Sequence, residues 1–539
     1  MRQRDSQVVN RMPNGIIGQQ VKTLMPKPKV EESLFRDSRS KAFTRTFGLT
    51  RRLSASKKDL VFATACELAN DIRERRVSAI DVLEAHLAQI ARRNPALNAI
   101  VTLDEERARS RAKEADDALK RGEVWGPLHG VPITIKDSFA TANVRTTSGY
   151  PPLADYVPTE DATIVARLKA AGAIVLGKTN TPLLVQGFQS DNPVFGRSNN
   201  PWDLTCTPGG STGGGAAALA AGMSPLEVGS DFGGSVRIPA HYCGLFSIKP
   251  TEGRVPLTGH IPELPGKQRS IRTVATPGPL ARSLDDLVLA IQLISGPDHS
   301  QPEIPPLPLG SKPKLTWSGL RVAWSDDFGG LPVTRDTRAA LTSLIEEIAK
   351  RGSTVSCRMP EGFDFPAVWE TYGELRQCEI GSALSVELEM ERAADFGVSP
   401  TASDPEMRGM GMRLNATLKQ YTETLTKRDV YIARVEQMFE SWDVFVCPVT
   451  VGPAFPHCKP GTLIAVDGHR VSYRIGGTGY TSPFNLTGNP SVVIPLTRSK
   501  EGLPIGVQLV GPRWGEMKLL AIAELFVEVT GPFPRPPGY

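Results

Sequence analysis

The chain has 539 residues, 40% of them hydrophobic, which is enough to bury a large core, and it holds no apolar run of the eighteen or more residues needed to span a bilayer. The net charge of +5 is unevenly spread: residues 1–58 carry 14 of the 62 Lys/Arg and 4 of the 57 Asp/Glu, leaving 48 against 53 elsewhere. The basic balance therefore belongs to the first segment and gives no argument for nucleic acid binding by the rest.

Residues 1–58 are rich in Arg, Lys and Ser without apolar periodicity, so a basic, disordered extension is the expectation. A secretory h-region is lacking; an organelle transit segment, or a start at Met25, also fits. Residues 59–539 are read as the catalytic domain. Over 60–93, Ile72, Val77, Ile80, Leu83, Leu87 and Ile90 recur at helical spacing, and Asp104–Arg121 reads as a charged helix ended by Gly122. Val131–Ile135 reads as a buried strand delivering Lys136 at its end. Ala162–Ala171 is a predicted helix, Ile174–Leu176 a strand, Gly215–Ala221 a small-residue helix and Leu226–Val228 a strand. Further helices are expected over Leu284–Ile294, Arg335–Lys350 and Met517–Val529, and further strands over Leu320–Trp324, Val444–Cys447 and Ile505–Val510. Residues 360–440 are helix-rich, lack motifs and are expected to shape a cleft. This alternation predicts an α/β fold with a single large mixed, mostly parallel twisted sheet covered by helices on both faces.

Seven cysteines without a C-x-x-C read as reduced thiols of a cytoplasmic protein, and seven scattered histidines include no H-E-x-x-H. His457-Cys458 is the one adjacent metal-capable pair and reads as coincidence. No metal and no cofactor are expected. Two literal motif matches fail on context. Gly172–Thr179 satisfies G-x-x-x-x-G-K-S/T, but its middle is an apolar strand and Pro182 follows where a helix should start. Gly209–Gly213 satisfies G-x-S-x-G, but no buried strand precedes it.

Chemistry concentrates in three segments: Gly130-Val131-Pro132-Ile133-Thr134-Ile135-Lys136-Asp137, Pro208-Gly209-Gly210-Ser211-Thr212-Gly213-Gly214-Gly215 and Gly229-Ser230-Asp231-Phe232-Gly233-Gly234-Ser235-Val236-Arg237. Glycine loops ending on hydroxyls let backbone N–H groups and a nucleophile converge on one carbonyl. In this order, and with Pro239 through Cys243-Gly244 to Lys249-Pro250-Thr251, Phe484–Pro490 and Gly506–Gly511, the chain resembles the amidase signature hydrolases from about Asp59 to about Glu528. By position, the resemblance implies Ser235 as nucleophile, Ser211 as a bridging serine after a cis peptide, and Lys136 as the ultimate base. Many members have serine where Thr212 stands; threonine keeps the hydroxyl and adds a methyl. The N–H groups of Phe232, Gly233, Gly234 and Ser235 would form the oxyanion hole. Asp231 and Arg237 are read either as organisers behind the site or as structural ion partners.

A lysine serves as base only when neutral, and an ordinary pKa near 10.4 leaves roughly 0.04% neutral at pH 7. Burial at the end of an apolar strand must lower it. The implied activity is hydrolysis of a small carboxylic amide, with esters or carbamates as further substrates, and no cofactor. The alternative is an A-type component of a tRNA-dependent amidotransferase, although Pro256-Leu257-Thr258 replaces the Ser-Arg-Tyr associated with such components. The preferred amide and the oligomeric state, homodimer included, are left open.

Overall fold

In a computed structural model of the chain, residues 59–266, 269–381, 398–399 and 401–539 are described. The expectation for residues 1–58 lies outside them, as does part of the 360–440 stretch. Among the described residues there are thirteen strands: β1 (Ile100–Leu103), β2 (Pro132–Lys136), β3 (Ile174–Thr179), β4 (Leu226–Asp231), β5 (Phe246–Lys249), β6 (Thr276–Ala281), β7 (Arg321–Trp324), β8 (Thr354–Cys357), β9 (Val444–Pro448), β10 (Ile464–Val466), β11 (His469–Val471), β12 (Ser491–Arg498) and β13 (Pro504–Val510). Eleven form one sheet in the order β1-β3-β2-β4-β6-β5-β12-β13-β9-β7-β8, and β10 and β11 pair as a separate hairpin.

The sheet is mixed, as predicted, but not mostly parallel. Parallel pairing is confined to β3-β2-β4 on one side and β9-β7-β8 on the other; the remaining six adjacencies are antiparallel. Three of the strands that make the centre antiparallel, β5, β6 and β12, are absent from the sequence-based expectation. β6 reads Thr276-Pro277-Gly278-Pro279, which has turn composition, and it is nevertheless held between β4 and β5.

Both faces of the sheet are buried, and side chains alternate between two cores as a pleated strand requires. Val444 and Val446 of β9 join one cluster while Phe445 and Cys447 join the other; Val492 and Ile494 of β12 are likewise divided from Val493. The first core takes its cover from helices Ala79–Leu97, Glu105–Lys120, Leu284–Ile294, Arg335–Lys350 and Glu516–Thr530. The second is covered by Arg237–Cys243, Phe365–Gly381 and Leu418–Ser441.

The periodic stretch 60–93 resolves into two helices, Ala65–Arg73 and Ala79–Leu97. A capping box between Thr64 and Glu67 starts the first, and Ser78 caps the second by accepting from the Asp81 N–H. Arg75 between them has φ 57, which breaks the helical run. The Gly172–Thr179 match contains β3, so no phosphate cradle exists there. Among the described residues no helix is long and apolar enough to cross a membrane.

Candidate active site

Strands β2 and β4 run parallel and adjacent, with Thr134 opposite Glu227 and Ile135 opposite Val228. Their carboxyl ends therefore lie side by side, where α/β sheets commonly place ligands. This register brings Lys136 beside Ser230 and Asp231. The third segment reaches the same place because its helix, Gly213–Ala220, has almost no side-chain bulk: a Cβ on Gly214 would stand 2.4 Å from the Asn180 nitrogen, and one on Gly215 would stand 2.5 Å from Glu227 Cγ. The preceding loop is tied by Ser190, whose hydroxyl donates to the Gly209 carbonyl at 3.1 Å and accepts from the Gly213 N–H at 3.1 Å. The Gly210–Ser211 peptide is cis.

Lys136 is fully buried, and its Nζ donates to Ser211 Oγ at 2.6 Å and to Ser230 Oγ at 3.1 Å. Burial pushes its ammonium down to about 7, against the opposing pull of the Asp231 and Glu227 charges. A lowered value alone does not single out a base. Lys178 and Lys249 are also buried and are pushed down by burial to about 8 and about 7. Lys178 Nζ donates to the Phe139 carbonyl and to Thr141 and Thr146, and Lys249 Nζ donates to the Pro250 carbonyl at 3.1 Å. Only Lys136 of the three faces Ser211.

The Ser211 and Ser235 backbones meet through the Thr212 N–H, which donates to the Ser235 carbonyl at 3.1 Å. Their hydroxyls are not hydrogen-bonded to each other among the described residues. Ser235 opens instead onto a small pocket of about 30 Å³ that also involves Gln186, Phe232, Tyr372, Arg376 and Arg474.

The loop of residues 232–235 is gripped from behind. Tyr372 donates to the Phe232 carbonyl at 2.7 Å and Thr481 Oγ1 to the Gly233 carbonyl at 2.6 Å. The N–H groups of Phe232, Gly233 and Ser235 have no acceptor among the described residues. Gly234 departs from expectation: its N–H is committed to Asp231 Oδ1 at 2.8 Å and is not free to receive an oxyanion. The hydroxyl that threonine keeps at Thr212 makes no supporting bond: its Oγ1 is buried without a hydrogen-bond partner among the described residues.

Asp231 and Arg237 are fully buried and paired: Arg237 Nε and Nη2 donate to the carboxylate at 3.0 and 2.9 Å. Arg237 also reaches the Thr481 carbonyl and Gln508 Oε1, and Asp231 accepts from Val236 N and Asn485 Nδ2. The charge and hydrogen bonds of Arg237 hold the Asp231 carboxyl well below its usual range despite burial. The pair thus organises the loop around Ser235 without facing the pocket.

Two residues near Lys136 carry no signal in the sequence. Ser230 sits inside a motif, but nothing in the pattern gives it a role. His260 lies outside all three segments, yet its Nε2 is 2.8 Å from Ser230 Oγ and 3.1 Å from Ser138 Oγ. Burial, with the nearby Lys136 charge, keeps this imidazole well below its ordinary pKa and hence neutral. Among the described residues no cluster of His, Cys, Asp and Glu is arranged to hold a metal.

The family model described as Amidase matches residues 81–520. The chain belongs to the amidase family. An indoleacetamide hydrolase of Bradyrhizobium diazoefficiens is 36% identical over 462 residues, 84% of each protein. The A-type component of the glutamyl-tRNA(Gln) amidotransferase of Alkaliphilus metalliredigens is 31% identical over 88% of this chain and 98% of that protein. A solved structure of 6-aminohexanoate cyclic dimer hydrolase superposes with a TM-score of 0.74 at 26% identity, covering 88% of this chain and 99% of its own. Membership of the amidase family supports hydrolysis of a C–N bond, and the mixed sheet flanked by helices is the fold shared with these neighbours.

Proposed function

We propose that this protein hydrolyses a small carboxylic amide through an acyl-enzyme on Ser235. The observation that carries the reading is the 2.6 Å contact between a fully buried lysine and Ser211 Oγ. With its pKa pushed down to about 7, a large share of Lys136 is neutral at pH 7, against roughly 0.04% at the ordinary value. Neutral Nζ takes the proton of Ser211, Ser211 takes that of Ser235, and Ser235 Oγ bonds to the substrate carbonyl carbon. This requires the Ser235 hydroxyl to turn from the pocket onto Ser211 Oγ when substrate is bound. The oxyanion is received by the unpartnered N–H groups of Phe232, Gly233 and Ser235. Collapse breaks the C–N bond and returns the proton through Ser211 to the departing amine. Water then repeats the sequence to release the acid and regenerate Ser235.

The test is covalent: a fluorophosphonate probe should add one adduct at Ser235, located by peptide mass spectrometry, and Ser235→Ala should abolish it. Full labelling of Ser235→Ala refutes the nucleophile assignment. A second reading, an A-type component of a tRNA-dependent amidotransferase, is favoured by the 31% identity to one such protein. Pro256-Leu257-Thr258 argues against it. Amide hydrolysis by the isolated chain without ATP or partner chains supports the first reading; strict dependence on them supports the second.

A further inference from the structure

We propose that the pocket at Ser235 takes amides bearing a carboxylate, held by the guanidinium of Arg376. The inference rests on the amide-hydrolase reading above and names the substrate class for that site. Arg376, on helix Phe365–Gly381, is 7% exposed and lines the same pocket as Ser235 and Phe232. Its Nη1 donates to Met410 Sδ at 3.1 Å and its Nη2 to Gln186 Oε1 at 3.4 Å. Thioether sulfur is a weak acceptor, and neither partner is charged. Among the described residues no carboxylate lies within ion-pair distance of it.

Other buried or half-buried arginines have carboxylate or carbonyl partners. Arg237 has Asp231, Arg254 has Glu516 and Arg428 has Glu252. Arg282 donates to four backbone carbonyls. Arg474, beside Arg376 in the pocket, is matched by Glu406, whose second oxygen is taken by Thr478. Among the described residues Arg376 is the guanidinium of this pocket that has no ion-pair partner. A buried charge needs a counter-ion, and this guanidinium lines the pocket that Ser235 also lines.

Carboxylate fits this site better than a neutral polar group, because the planar fork presents parallel N–H donors to two oxygens. The Gln186 amide adds a donor on the same wall, since its Nε2 is buried and unpartnered. Burial and the like charge of Arg474 push Arg376 down to about 10, which leaves it ionised at neutral pH.

Calorimetric binding to the full chain carrying Ser235→Ala tests this without turnover, using succinamate and its uncharged isostere 4-methylpentanamide. Succinamate is expected to bind about tenfold or more tightly, as charge-assisted hydrogen bonds predict. Adding Arg376→Gln should erase that preference, and Arg376→Lys, which keeps charge without the fork, should fall between. Equal affinities for the two probes, no succinamate binding up to ~10 mM, or an unchanged ratio in Arg376→Gln overturns the proposal. If Arg376→Gln does not fold, the Ser235→Ala ratio and the Arg376→Lys variant decide it. Failure of wild-type Ser235 to label, with Arg376-dependent succinamate binding intact, sinks the acyl-enzyme reading and leaves the anion site standing.

Discussion

Gly229 of β4 lies so close to Thr212 that an added Cβ would stand 2.4 Å from Thr212 Oγ1 and 2.6 Å from its Cγ2. Thr212 follows the cis-linked Ser211 and holds the Ser235 carbonyl. β4, Ser211 and the loop carrying Ser235 are therefore locked through one contact. Gly229→Ala should cost about 1–3 kcal/mol by overpacking and lower amide hydrolysis. Adding Thr212→Ala removes both colliding atoms and should restore part of each loss. Denaturant unfolding and hydrolysis rates on the two variants check this; a double variant no better than the single one would place the damage elsewhere.

The state of Lys136 sets a pH dependence of activity and a separate one of stability. In the proposed relay neutral lysine is the active form, so kcat/KM should rise with pH through about 7. Lys136→Ala should lower turnover by about 10²–10⁴-fold; near-wild-type rates would mean the base is another group. The stability effect has a definite sign. The folded pKa lies below the unfolded one, so the unfolded chain binds the extra proton and stability rises with pH from about 7 to the ordinary lysine value. Lys136→Met abolishes that contribution. Its stability relative to wild type should therefore be more favourable at pH 6 than at pH 10.

The three segments that meet at the candidate site were legible because each joins glycines to a hydroxyl, or an apolar strand to a lysine. Lys136, Ser211 and Ser235 were singled out by position, through the resemblance that this pattern and order carry. Ser230 and His260 did not show, since their positions follow from β4 lying beside β2 and from a loop returning over that edge, neither of which leaves a periodicity. The sheet was legible where Val, Ile and Leu run together, as in β2, β3 and β4. It was hidden in β6, where Pro277, Gly278 and Pro279 sit mid-sheet, and the excess of antiparallel pairing went with it.

His260 has its consequence through Ser230. In its Nδ1–H tautomer the neutral ring accepts at Nε2 from the Ser230 hydroxyl, which turns the lone pairs of that oxygen toward Lys136 Nζ. His260→Ala should free the hydroxyl to rotate and slow fluorophosphonate labelling of Ser235 by roughly tenfold, the scale of about one net hydrogen bond. His260→Gln, which keeps an acceptor, should recover part of the rate. Unchanged labelling in His260→Ala would show that Ser230 is oriented without the ring.

Arg237 and Asp231 bury one charge each beneath the nucleophile loop, and removing either leaves the other uncompensated. Arg237→Met should cost about 3–5 kcal/mol at pH 7, because the Asp231 carboxylate keeps its charge and loses its main partner. In the wild type the carboxyl sits below its ordinary value, so its contribution is fully present above roughly pH 4 and is lost as pH falls further. In the variant, burial without the guanidinium raises that pKa, and protonation relieves the penalty. The deficit measured by urea unfolding should therefore shrink from pH 7 toward pH 4. A deficit that stays constant over that range would mean the loss is one of packing around the arginine stem, with no uncompensated carboxylate left behind.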